Sequence, residues 1–189
     1  MELTDKDLQR IYDVANQIFY AGTLPSIPVF LEDMGRDWGA HVFGTPHNLN
    51  LSIGVNYDEI LKRYEAEAGP SKYSAYLIRT ILHEMVHVYF VVSGSLGEDG
   101  GSRITGEPHT MAFAEAANSH GLHAYFNPWD ICEPTDNGEC EYLPDETAQL
   151  FASHGIAIGG MDDERGIADF AQSDCFDTLE ELQRFLSGD

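Results

Sequence analysis

The stretch Leu82-His83-Glu84-Met85-Val86-His87 decides how this chain is read. It lies inside an apolar run that Ser71 opens, that extends to about Val92 and that Ser93-Gly94 closes, which predicts one long helix. At 3.6 residues per turn, positions i and i+4 project from one face, so the His83 and His87 imidazoles can reach a single metal ion. Glu84 can lie beside the open coordination position and take a proton from a metal-bound water as general base. On zinc such a water has a pKa of about 7, so hydroxide is available at neutral pH. With 8 histidines and 16 glutamates in 189 residues, chance produces H-E-x-x-H about 0.03 times per chain of this composition, so two unrelated partly buried histidines are the weaker reading. A charged Glu84 between His83 and Met85 would also need some other reason to be there.

A catalytic zinc takes three protein ligands and keeps one position for water. His87 is followed neither by G-x-x-H at the metzincin spacing nor by another histidine close by. The candidate is His109, 22 residues on, because Pro108 suits the first turn of a helix that runs to about His120 and stops at Gly121. Residues 94–107, with five glycines, read as a loop able to bring that turn alongside His83 and His87. Glu115, which would make a His-His-Glu site, and His120 are the rivals. His41, His47, His123 and His154 read as surface or turn residues.

Outward from this centre, Thr4 caps a helix over about 5–20, where Leu8, Ile11, Tyr12, Ala15, Ile18 and Phe19 recur at helical spacing and Gly22 marks the end. Extended runs follow at Val29-Phe30-Leu31, about Gly39–Phe43 and about Asn48–Ile53, the last two joined by a turn at Thr45-Pro46-His47. Asp58 to Ala68 reads as a short helix before Gly69-Pro70. Beyond residue 122, Glu146–Ser153 and Leu179–Leu186 read as helices, with prolines and Asp136-Asn137-Gly138 breaking up what precedes them. Asp136-Asn137-Gly138 and Asp162-Asp163-Glu164-Arg165-Gly166 lack the EF-hand spacing and read as solvated turns. There is no internal repeat.

Composition narrows the function. Ten Lys+Arg against 32 Asp+Glu leave a net charge of −22, which argues against phosphate-binding surfaces and against anionic lipid. The imbalance is uneven: residues 1–93 carry 7 basic and 12 acidic side chains, residues 94–189 carry 3 and 20. The −17 half suits either a cationic polypeptide partner or plain solubility. Cys132, Cys140 and Cys175 form no C-x-x-C pair and read as ordinary thiols, so neither a zinc ribbon nor a disulfide framework is expected. The start of the chain lacks a signal-peptide pattern and no uncharged apolar run reaches the ~18 residues of a membrane span. A cytoplasmic, reducing location is the expectation.

These residues resemble a family. Leu82-His83-Glu84-Met85-Val86-His87 is similar to the H-E-M-x-H core of SprT-like (Spartan-type) zinc metallopeptidase domains, and His109-Thr110-Met111-Ala112-Phe113 to their H-x-x-x-F element. Phe19-Tyr20-Ala21-Gly22-Thr23-Leu24-Pro25 with Ile27–Leu31, Leu49-Asn50-Leu51-Ser52 and Ser119-His120-Gly121-Leu122 resemble further family segments in the same order, over about residues 8–122. Where the family usually has Gly after the third histidine, this chain has Thr110. The resemblance implies an α+β, zincin-like fold: a small antiparallel or mixed sheet against an active-site helix pair, residues 1–122, with residues 123–189 an acidic extension packed on the same domain. It implies one Zn2+ held by His83, His87 and His109, Glu84 as general base, and the strand near 48–53 as the edge to which an extended peptide adds. Relatives acting on DNA–protein crosslinks carry basic or zinc-ribbon segments that this chain lacks, so no direct nucleic-acid contact is expected. The competing expectation is a non-proteolytic binding module that keeps the site and engages a basic partner.

Overall fold

The computed structural model describes residues 3–33, 40–45, 48–56, 72–95, 110–124, 141–159 and 178–187. The expected helix over 58–68, the turn residues Pro46 and His47, His109 and all three cysteines lie outside the described residues.

Helix α1 spans Asp5–Phe19 with Thr4 as its N-cap. The Thr4 N–H and hydroxyl both donate to Asp7 Oδ2, at 2.8 and 2.5 Å. Asp7 Oδ1 in turn meets Lys72 Nζ at 2.8 Å. Burial alone would raise the Asp7 carboxyl, but the bonds from Lys72 and Thr4 outweigh it and hold the group below its ordinary value. The apolar stripe Leu8, Ile11, Tyr12 and Ala15 is buried. The polar side chains of α1 fasten the segment that follows it. Asn16 clamps both backbone groups of Leu24, and Tyr12 donates to the Pro25 carbonyl at 2.7 Å.

Strands β1 (Val29–Glu32), β2 (Ala40–Thr45) and β3 (Asn48–Asn56) form a mixed sheet in the order β1-β3-β2. β1 runs parallel to β3 with Val29 opposite Ile53, and β2 runs antiparallel to it with Val42 opposite the same residue. The strand expected to be the peptide-accepting edge is therefore central. Alternation of Leu51 and Ile53 with polar neighbours reports which face is buried, not how many strands flank it, so the sequence could not separate edge from centre. The outer side of β1 is occupied too, since Gln9 Oε1 accepts from Val29 N–H at 3.2 Å and Asp5 Oδ1 from Leu31 N–H at 2.9 Å. The remaining edge is β2, and β2 packs against the site helix.

That helix, α2, spans Ala75–Ser93. It begins at Ser74 rather than Ser71: the Ser74 hydroxyl accepts from Leu77 N–H at 3.1 Å in a fully buried position. The two residues before it, Tyr73–Ser74 (β4), pair in parallel with Ile158–Gly159 (β7). At the other end Gly94 adopts φ +80°, and the Ser95 N–H returns to the Phe90 carbonyl at 3.1 Å. Leu77, Ile78, Ile81, Leu82, Met85, Val86 and Val88 are all fully buried. Burial of each such side chain favours the fold by about 1.5–3 kcal/mol. By length and composition α2 also passes as a membrane span, with half of that window buried inside the structure. The same properties belong to a core helix, and α2 packs on α1, β2 and β3.

Helix α3 (Met111–Ser119) packs on α2 and leads to β5 (His123–Ala124), which pairs with β6 (Glu141–Tyr142). Helices α4 (Asp145–Ser153) and α5 (Leu179–Ser187) complete the described elements. Residues 141–159 share the core, because Leu143, Phe151 and Ile156 are buried with the side chains of α1 and α2. Phe151 packs on Phe19, and Arg10 donates to the carbonyls of His154 and Gly155. Gly121, at φ +93°, lies so close to Phe19 that a Cβ there would come within 2.5 Å of the ring.

Candidate metal centre

Nine of the nineteen residues of α2 are buried, and the less covered face carries Tyr76, Arg79, Thr80, His83 and His87. The i, i+4 spacing stacks His83 and His87 one turn apart, with ring centroids 5.1 Å apart and planes at 70°. Two imidazoles sharing one tetrahedral zinc at about 2.0–2.1 Å per bond have centroids roughly 5 Å apart. The observed pair has the separation that a shared ion requires.

Glu84 follows His83 and is only 6% exposed. Two imidazoles with a carboxylate residue next to them in sequence match the donor chemistry of zinc, so these residues fit the ion by residue type as well as by spacing.

Among the described residues no three His, Cys, Asp or Glu side chains gather to hold an ion. The two rivals of His109 are both occupied elsewhere or misdirected. Glu115 is exposed and lies two positions from Phe113, the α3 residue that meets the histidines, so it projects from the opposite side of the helix. His120 caps the end of α3, with Nδ1 3.1 Å from the Phe19 carbonyl and its ring stacked on Tyr20 at 4.1 Å. Burial lowers the His120 pKa, partly opposed by the Phe19 carbonyl. The Tyr20 phenol beside it is pushed well up, first by burial and then by Tyr12 and Tyr89. This is a structural joint between α1, α2 and α3.

His109 lies outside the described residues, immediately before Thr110. The helix expected to begin at Pro108 begins at Met111, because the Thr110 hydroxyl accepts from Phe113 N–H at 3.4 Å and so serves as N-cap. Thr110 thus has a local role as the cap of α3. His123, expected at the surface or in a turn, is partly buried and stacked on Tyr142 at 4.6 Å. His154 is exposed at the end of α4, as expected.

One residue of the centre was not singled out by sequence reasoning for a role there. The Phe113 ring lies 4.8 Å from His83 and 4.9 Å from His87. The available signal was its place four residues after His109, on the element that resembled the family's H-x-x-x-F. No protein-family model, curated protein or solved structure matches the chain.

Proposed function

We propose that this chain is a zinc-dependent metallopeptidase of zincin type, with a site motif that resembles that of the SprT-like domains. The observation that carries the reading is the His83–His87 pair at 5.1 Å, with the largely buried residue Glu84 next to His83 on the same helix. His83, His87 and His109 would hold the ion. Bound zinc supplies Lewis acidity that makes a coordinated water nucleophilic at neutral pH. Glu84 would serve as general base toward the attacking water and then as general acid toward the amine nitrogen released when the C–N bond breaks. An extended substrate would join the sheet at β2, the edge that packs with α2, and not at β3. The acidic half suits a basic polypeptide as substrate.

Metal analysis of the purified protein and of Glu84→Gln, followed by cleavage assays on basic polypeptides, tests this. Both proteins should carry one zinc, and the substitution should lower the cleavage rate by about 10²–10⁴-fold. Zinc retained with no Glu84-dependent cleavage of any substrate would transfer the site to the competing reading, a binding module for a basic partner. Failure of the wild type to bind zinc would remove both.

A further inference from the structure

We infer that Phe113 is the positioning residue of the centre: its ring sets both imidazoles in the orientation from which one zinc can be shared. The inference rests on the zinc reading above. A helix places the Cβ atoms of His83 and His87 one turn apart, but the imidazole χ2 torsion is broad and nothing in helical geometry fixes the ring planes. Phe113 supplies that constraint. Its ring is almost equidistant from the two imidazoles, at 4.8 and 4.9 Å, and is tilted to them by 51° and 39°. It is only 3% exposed, so the ring has no room to swing aside.

The backbone beneath it is fixed as well. Phe113 N–H is the group that the Thr110 cap holds, so the cap and the ring belong to one turn. The ring is thus an apolar contact common to both imidazoles. Surroundings of this kind control both metal affinity and ligand orientation.

The experiment compares zinc affinity, by competition with a chromophoric chelator, in wild type, Phe113→Leu, Phe113→Met and the control Phe151→Leu. Phe151 is a fully buried ring of the same core whose partner is Phe19. Both Phe113 variants should weaken zinc by about 10–100-fold. Both should also shift and broaden the d–d absorption of the cobalt-loaded protein. Phe151→Leu should lower the melting temperature while leaving zinc affinity and the cobalt spectrum unchanged. Phe113 variants with wild-type affinity and spectrum would overturn the inference and leave the zinc reading standing. Equal loss of affinity in Phe151→Leu would reduce Phe113 to ordinary core packing and overturn it too. A wild type without zinc affinity would remove the inference together with the reading beneath it.

Discussion

His120 shows how one side chain can look like a ligand in sequence and prove to be a fastening. Its Nδ1 sits at the Phe19 carbonyl and its ring stacks on Tyr20; burial outweighs the opposing effect of that carbonyl, so the fold favours the neutral imidazole. The unfolded chain takes up the proton first, near the ordinary value of 6.5, while the folded chain resists it. The stabilisation is therefore present above that value and is lost as pH falls through the lowered folded value. Urea midpoints of wild type and His120→Gln should show it: wild type should lose its advantage as pH falls below about 6.5. A difference between the two proteins that does not change with pH would contradict this account. Asp7 has the opposite chemistry but the same sense, since its lowered carboxyl adds stability that disappears only in stronger acid.

At the scale of elements, the site helix depends on how its first turn is closed. Ser74 is fully buried and satisfies the Leu77 N–H, so Ser74→Ala would leave that donor without a partner and without access to water. We expect a loss of about 1–2 kcal/mol in chemical denaturation. The two serines also show why boundaries were harder to read than elements. Ser71 and Ser74 are both acceptable caps by residue type, and only the pairing of β4 with a strand 85 positions away decides between them. The same limit hid β5, β6 and β7, because a two-residue strand has no periodicity to display. Thr4, the stripe on α1 and the His83–His87 face were legible because each is set by neighbours within one or two turns. Phe113 belongs to the other kind: its approach to the histidines is a packing between helices, which no local pattern encodes.

For the whole molecule, the division suggested at residue 122 does not fall at a break in packing. Phe151 lies against Phe19, Thr147 donates to the Gly121 carbonyl at 2.8 Å, and Arg10 holds the turn after α4. A fragment of residues 1–122 would leave the Phe19 face uncovered and β4 unpaired. It should show no cooperative unfolding transition by circular dichroism, whereas a fragment of residues 1–159 should retain one. A cooperative, zinc-binding 1–122 fragment would show that the later residues are dispensable. The pairing of Tyr73–Ser74 with Ile158–Gly159 has a consequence for the order of events during synthesis. The ribosome releases the histidine pair long before it releases the strand that secures the start of their helix. The newly made chain therefore has the proposed metal-binding sequence in hand while the fold that would shape it is still incomplete. Metal captured at that stage would meet a loose helix, and the final clasp would close only once most of the acidic half had emerged.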